Sequence, residues 1–226
     1  MLRGLMRYAV HIGMRADDPT IGIKIKQRQS DGIPTWGEIE IEAFRRYHPL
    51  GSRARLAFEL LLNTGQRRGD VIRMGRQHVR DGVIQVTQQK TKAKLLIPLH
   101  PDLLEAIAAT PSETLLFLTS PAGERFSAEG FTHWFRRQCD AAGVRGFSAH
   151  GLRKAACRRL AEAGCTEKQI AAISGHKSLA EIARYTRAAD QAILARAAMD
   201  KMRTSAVKLS DTNCQTSPQA IGHKRK

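Results

Sequence analysis

An almost continuous apolar segment at residues 53–63, RARLAFELLLN, limits most strongly how this chain can fold. A helix that is apolar nearly all the way round is stable only when neighbouring elements cover all of its sides. Thr64 and Gly65 follow the segment and break its pattern. The sequence therefore predicts a central helix over these residues, around which the rest of the domain packs.

The pattern changes from helical to strand-like between residues 76 and 99. Apolar β-branched residues and leucines there are separated by Asp81-Gly82 and by a lysine-rich stretch at 91–94, which is typical of about three strands joined by tight turns. The fold class predicted is mainly α with a small antiparallel β-sheet, an α+β fold. Further helical patterns lie at 2–14, 67–74, 101–109, 128–142, 149–163, 166–174, 179–185 and 188–201.

A helix start is predicted at Thr35, because Thr35-x-x-Glu38 has the form of a capping box. In such a box the threonine and glutamate side chains accept hydrogen bonds from backbone N–H groups that lack a partner in the first turn. Pro49 and Gly51 would end this helix. We expect the main domain to begin here and to run over residues 35–202.

The two ends of the chain lack the pattern of a folded core. Residues 15–34 contain Asp-Asp-Pro-Thr, two glycines and a second proline, which indicates an extended linker after a short helix. Residues 203–226 are rich in polar residues and end in His-Lys-Arg-Lys, so we predict a disordered basic tail.

No apolar run reaches the ~18 residues of a membrane span, and no signal-peptide pattern opens the chain. We therefore expect a cytoplasmic protein.

The charge of the chain is strongly positive, with 37 lysines and arginines against 21 acidic residues and a formal net charge of +16. Such an excess favours an anionic partner, most plausibly nucleic acid. The basic residues are spread along the chain, whereas a membrane surface is more often met by one basic amphipathic helix. A charge that merely keeps the protein dispersed remains the alternative.

The cysteines, at 139, 157, 165 and 214, do not have the spacing of zinc ligands. Free thiols are the usual state of such residues in the cytosol. We therefore expect neither a metal site nor a cofactor.

Several basic residues could act on a phosphodiester. That reaction needs a nucleophile, positive charge on the non-bridging oxygens and an acid for the leaving oxygen. Arginine suits the second task, because its forked donors match a phosphate. Arg67 follows Thr64-Gly65 at a predicted helix start, where the helix dipole adds positive potential, and Asp70 could orient it. A solvated surface arginine is the alternative.

Lysines alternate in the predicted hairpin, at Lys90, Lys92 and Lys94. In an extended hairpin they would share a face, and Lys90 could reach a groove as a proton donor. A solvated, lysine-rich turn is the alternative, and spacing does not choose among the three.

Two histidines, an arginine and a tyrosine follow between residues 150 and 185. His150 and Arg153 would lie on one face of a helix that starts near residue 148. His176 follows a helix-stop glycine. Tyr185 is a weak nucleophile unless cations surround it, since its reference pKa is near ~10. Taken singly, residues of these types more often cap a turn, pack or face solvent than take part in chemistry.

Their order carries more information than any one of them. T-G-Q-R at 64–67, K-T at 90–91, H-G-L-R at 150–153, G-H at 175–176 and a tyrosine nine residues later together resemble the tyrosine recombinase (phage integrase) family. The resemblance covers about residues 35–202, which is the catalytic domain of that family.

The resemblance implies a site-specific DNA recombinase. In that family the tyrosine, here Tyr185, attacks a DNA phosphate, forms a 3′-phosphotyrosyl link and frees a 5′-hydroxyl, with no need for metal or ATP. Arg67 and Arg153 would hold the non-bridging oxygens, and Lys90 would protonate the leaving 5′ oxygen. The remaining assignments are His150 as acid or base toward the tyrosine, His176 as a phosphate hydrogen-bond donor and Asp70 as a supporting acid.

The family also implies partners and a missing part. Double-stranded DNA would be the substrate. The protein would be a monomer when free and a homo-oligomer, a tetramer, on the DNA, and it would be associated with the nucleoid. Residues 1–34 would be the remnant of an N-terminal core-binding domain with its linker. The helix at 188–201 would dock on a neighbouring protomer or pack back on its own domain. A catalytically silent DNA-binding remnant and a type IB topoisomerase are the alternatives.

Overall fold

The computed structural model describes residues 2–23, 32–111, 114–186, 194–196 and 198–203. Backbone contacts divide the chain into the units Met1–Gly32 and Ile33–Lys226. The first unit contains α1 (Leu2–His11) and a turn in which Asp18 accepts hydrogen bonds from the backbone N–H and hydroxyl of Thr20. Its assignment as the remnant of a core-binding domain stays a prediction.

The second unit is mostly helical and contains one antiparallel sheet of order β1-β2-β3, which confirms the predicted fold class. Its elements are α2 (Glu38–Tyr47), α3 (Arg53–Thr64), α4 (Arg68–Val71), a 3-10 turn (Arg76–His78), β1 (Val79–Arg80), β2 (Val83–Thr87), β3 (Lys94–Pro98), α5 (Pro101–Ala109), α6 (Ala128–Ala141), α7 (Ala149–Glu162), α8 (Glu167–Ser174) and α9 (Leu179–Thr186).

Helix α3 is central, as the apolar segment predicted. Nearly all of its residues are buried, and it packs against α5 and α7. Ser52 begins it by accepting a hydrogen bond from the backbone N–H of Arg55. One charged side chain, Glu59, is also fully buried. It is satisfied there by Arg45 and Arg55, which donate to its carboxylate at 2.7–3.0 Å.

The predicted start of α2 at Thr35 is wrong. The N-cap is Gly37, and Glu40 accepts a hydrogen bond from its backbone N–H at 2.9 Å. The chain stays non-helical before this point because Trp36 is fully buried and its indole N–H donates to the Ser148 carbonyl oxygen at 2.9 Å. Burying this large ring against Phe58 gains more than one further turn of helix would.

The sheet confirms the predicted meander. In β2, Ile84 and Val86 face the core and pair with Ile97 and Leu95 of β3. Residues 88–93 form the connecting turn, in which Lys92 adopts a left-handed conformation with a φ of 58°. The expectation that three alternating lysines share one face is therefore wrong, because strand alternation does not extend through this turn.

Helices α7, α8 and α9 pack together at the end of the domain. Ile182 of α9 joins a small buried cluster with Cys157 and Ile170. Half of the predicted helix at 188–201 falls outside the described residues, and the described half, 194–196 and 198–201, is helical. Nearly all of the predicted tail at 203–226 lies outside the described residues. Across the described part of the chain, no helix has the length and apolarity needed to cross a membrane.

Candidate active site

Arg67 lies where the central helix gives way to α4. Gly65 ends α3 in the left-handed conformation, with a φ of 61°, and the chain turns so that Arg67 becomes the N-cap of α4. Its guanidinium Nη1 donates to the side-chain oxygen Oε1 of Gln88 at 3.3 Å. Because α4 is a single turn, its dipoles add little of the positive potential expected here.

Asp70 connects α4 to the hairpin. Its side chain is buried, and its Oδ1 accepts a hydrogen bond from the backbone N–H of Gln89 at 2.9 Å. The sequence suggested that Asp70 could orient Arg67, whereas this contact fixes the start of the β2–β3 turn. Asp70 therefore supports the segment that carries Lys90, whose own side chain is exposed in that turn.

His150 and Arg153 share the first turns of α7, as predicted. His150 is exposed, while Arg153 is only 1% exposed. Gly151 lies between them, where a Cβ atom would come within 2.4 Å of the Pro34 carbonyl oxygen. The glycine of H-G-L-R is thus required by the close passage of residues 34–36 over the start of α7.

Arg153 and His176 contact each other directly. Arg153 Nη1 donates to the carbonyl oxygens of Gly65 at 2.6 Å and Ser174 at 2.9 Å, and Nη2 lies 2.7 Å from His176 Nε2. A guanidinium can only donate, so Nε2 must accept and the proton of a neutral His176 is on Nδ1. Nδ1 then donates to the Ser174 hydroxyl at 2.7 Å, which donates onward to the Ile170 carbonyl.

The pKa values of both histidines support neutral rings. Burial, followed by the positive charges of Arg153 and Arg67, lowers the pKa of His176 to about 3. The protein atoms crowded around His150, followed by the charges of Lys154 and Arg153, lower its pKa below the ordinary value. The hydrogen bonds that join Arg67, Gln88, the Ser174 carbonyl and Arg153 bring the start of α4, helix α7 and the end of α8 together at one positively charged point.

Tyr185 lies in α9, nine residues after His176. The structure describes its backbone, and its side chain lies outside the description. Helix α9 packs against α7 and α8, so the backbone of Tyr185 belongs to the same helical group as His150, Arg153 and His176.

Gln88 is the residue of this region that the sequence analysis missed. Its amide is fully buried, and Nε2 donates to Gln66 Oε1 at 2.6 Å and to the Ser174 carbonyl at 2.9 Å. Its Oε1 accepts from Arg67 and from the hydroxyl of Thr91. A glutamine before a lysine-rich turn is ordinary in a sequence, so only the folded contacts identify it.

The glycine of the G-H pair has a physical explanation as well. Gly175 ends α8 with a φ of 68°, and a Cβ atom there would lie 2.4 Å from Gln88 Nε2. Within the part of the chain that the structure describes, no three His, Cys, Asp or Glu side chains form a group that could hold a metal ion.

Comparisons with known proteins identify the family of the chain. The phage integrase family profile matches residues 39–192. The tyrosine recombinase XerD of Pseudomonas aeruginosa is 26% identical over an alignment of 204 residues, which covers 82% of this chain and 67% of XerD. The integrase of Escherichia phage HK022 is 32% identical over an alignment of 197 residues, which covers 80% of this chain and 54% of that integrase.

A solved structure gives the same result for the fold. A lambda integrase tetramer bound to a Holliday junction superimposes with a TM-score of 0.66 at 25% sequence identity, covering 80% of this chain and 57% of that one. The chain thus spans between about half and two thirds of the length of these three proteins. Since the family profile matches well over half of the sequence, the chain belongs to the phage integrase family.

Proposed function

We propose that the chain is a site-specific DNA recombinase that cuts and rejoins DNA through a 3′-phosphotyrosyl link on Tyr185. The observation that carries this proposal is the convergence of Arg67 and Arg153, joined through Gln88 and the Ser174 carbonyl. His176 contacts Arg153 directly, and His150 lies one turn earlier in the same helix α7. Such a convergence of positive charge attracts a phosphate and stabilises the extra negative charge of its transition state.

In the proposed cleavage step, the Tyr185 oxygen attacks the phosphorus and the bond from phosphorus to the 5′ oxygen breaks. The tyrosine proton passes to His150, whose lowered pKa keeps it unprotonated near neutral pH and able to accept. Lys90 donates a proton to the leaving 5′ oxygen. Attack by the 5′-hydroxyl of a partner strand reverses these transfers and rejoins the DNA.

His176 takes a somewhat different part from the one the resemblance implied. In the free protein its Nε2 accepts from Arg153 and therefore has no proton to give to a phosphate. We assign His176 to holding the Arg153 guanidinium in place. Direct donation to the phosphate would require the proton to move to Nε2 and the contact with Arg153 to be given up.

The partners we propose are double-stranded DNA and further copies of the chain. The charge of +16 suits a polyanion, and the lambda integrase whose fold this chain shares assembles as a tetramer on DNA. The corresponding assembly here would be a tetramer formed from monomers on the DNA. Its proposed location is the cytoplasm, at the nucleoid.

Covalent capture tests the proposal. The full chain is incubated with a pool of nicked duplexes of randomised sequence, in which loss of the short fragment beside the nick traps the cleaved state. We expect adducts that survive denaturation with detergent and that share a sequence. A complex that forms but always dissociates on denaturation would contradict the proposal and support a silent DNA-binding protein. Relaxation of any supercoiled plasmid regardless of sequence would instead indicate a topoisomerase.

A further inference from the structure

The turn that carries Lys90 is attached to the rest of the site on both sides of the lysine. Before it, the Gln89 backbone N–H is held by Asp70. After it, the hydroxyl of Thr91 donates to Oε1 of Gln88. The turn is closed from within by backbone bonds from Gln88 N–H to the Ala93 carbonyl and from Lys92 N–H to the Gln88 carbonyl, both at 2.9 Å.

The Gln88 amide links this turn to two other parts of the site. Its oxygen is shared by Thr91 and Arg67. Its nitrogen reaches the Ser174 carbonyl, the same oxygen that accepts a hydrogen bond from Arg153. One buried side chain therefore joins the hairpin to α4 and to the end of α8, one residue before Gly175.

The alternative is that Gln88 only fills space in the core. An apolar side chain of similar size would fill the same space, but it would remove the hydrogen bond that the Gln88 amide gives to the buried Gln66 oxygen. The Gln88 amide instead forms hydrogen bonds through both its nitrogen and its oxygen. Its partners lie on separate elements, with Arg67 at the start of α4, Thr91 in the turn and Ser174 at the end of α8. A buried polar group that is satisfied in this way fixes the relative position of those elements.

We propose that Gln88 is the positioning residue of Lys90, which places the lysine turn beside the phosphate held by Arg67 and Arg153. The inference rests on the proposed function, since it concerns the protonation of the leaving 5′ oxygen. Gln88 does not touch the DNA. It acts through the Thr91 hydroxyl and through the Ser174 carbonyl, so its loss would displace the proton donor. The same loss would remove a contact of Arg67 but leave Arg153 bound to Gly65 and His176.

A change of leaving atom separates this role from a structural one. In a duplex with sulfur in place of the bridging 5′ oxygen, the bond from phosphorus to sulfur breaks and a thiolate leaves. A thiol has a pKa near ~8.5, so the thiolate needs no proton from the protein. The sulfur duplex should therefore restore the rate to any variant whose defect is a missing or misplaced Lys90, and to no variant that is merely misfolded.

The experiment measures the single-turnover rate of adduct formation by the full chain, with a duplex obtained by covalent capture and made in oxygen and sulfur forms. We expect Gln88→Leu to be slower by about 10²-fold on the oxygen duplex, the usual effect of a displacement near 1 Å. The part of that loss due to the displaced lysine should disappear on sulfur, whereas any part due to the lost Arg67 contact should remain. Gln85→Leu makes the same substitution at an exposed position of β2 and should not change either rate.

Thr91→Val is a second, milder variant that tests the same role if Gln88→Leu does not fold. It removes only the hydroxyl and leaves the Arg67 contact intact, so the oxygen rate should fall by roughly 2- to 10-fold and recover on sulfur. Thr91→Ser keeps the hydroxyl and should keep the rate.

The variant Lys90→Ala separates the positioning role of Gln88 from the proposed role of Lys90 as proton donor. If sulfur rescues Lys90→Ala but neither Gln88→Leu nor Thr91→Val, or if both of these cleave the oxygen duplex at full rate, the positioning role is wrong and the proposed function stands. If sulfur does not rescue Lys90→Ala, the proposed role of the lysine is wrong and the inference about Gln88 is overturned with it.

Discussion

The contact between Arg153 and His176 is the residue-scale feature that most sharply defines this site. A guanidinium that is 1% exposed must have its donors satisfied, and the two backbone carbonyls of Gly65 and Ser174 together with His176 Nε2 accept from it. The ring can do this only while it is neutral. The contact that helps to fix the position of Arg153 therefore also adds to the effect of burial in lowering the pKa of His176.

Protonation of His176 should weaken the fold. Its pKa is about 3 in the folded protein and near ~6.5 when unfolded, so the unfolded state binds more protons and stability falls as the pH drops from about 6.5 toward 3. Urea unfolding at pH 7 and pH 5 measures this fall. Compared with His176→Gln, the unsubstituted protein should lose about 2 kcal/mol more over that interval. Equal losses in both proteins would show that the ring is not held neutral.

The residue types at the site are predictable from the sequence, but their contacts are not. The spacing of T-G-Q-R, K-T, H-G-L-R and G-H indicates the candidate residues. It gives no sign that Arg153 is buried, that His176 accepts from it, or that Gln88 lies between Arg67 and Ser174. Those facts depend on contacts between residues 20 or more positions apart, which local patterns do not encode.

At the scale of elements, the placement of α7 depends on the segment that crosses its first turn. Trp36 donates to the Ser148 carbonyl, and Lys154 donates to the Ile33 carbonyl at 2.6 Å. These contacts hold residues 33–36 against the helix that presents His150 and Arg153. The mistaken capping box at Thr35 has the same origin, since burial of Trp36 outweighed a favourable local motif.

Gly151→Ala should therefore destabilise the domain. The added Cβ would meet the Pro34 carbonyl oxygen at 2.4 Å and the Trp36 ring at 2.9 Å. Overpacking of this kind costs about 1–3 kcal/mol, more than the roughly 0.5–1 kcal/mol gained by removing a helical glycine. Urea unfolding should show the loss for Gly151→Ala and none for Gly69→Ala, whose Cβ would meet only Gln89 Oε1 at 3.8 Å. Equal stability of the two variants would contradict the tight crossing.

At the scale of the whole molecule, the excess of positive charge is the property that bears most on DNA binding. The net charge of +16 comes from basic residues along the entire sequence, so the amino-acid composition alone reveals it. The general architecture is predictable too, because the apolar segment at 53–63 and the meander at 76–99 are strong patterns. The conformation of the turn at residues 88–93 is not, because a lysine in the left-handed conformation leaves no mark in the sequence.

Binding of duplex DNA should depend steeply on salt. If 6–10 phosphates are neutralised, the affinity should fall by about 10³–10⁵-fold between 50 and 200 mM salt. Fluorescence anisotropy with a labelled duplex measures this, and an unrelated duplex serves as the control for the sequence-independent part. An affinity that hardly changes with salt would mean that the basic surface does not bind the DNA backbone.

The proposed function depends on covalent attachment of DNA to Tyr185, and this attachment can be measured directly. With the nicked duplex, the unsubstituted chain should form a detergent-resistant adduct, and mass spectrometry of its digest should place the nucleotide remnant on Tyr185. Tyr185→Phe should form no adduct while still binding the duplex, and Tyr47→Phe, at an exposed tyrosine of α2, should form it normally. Undiminished adducts with Tyr185→Phe, or a remnant on another residue, would contradict the account.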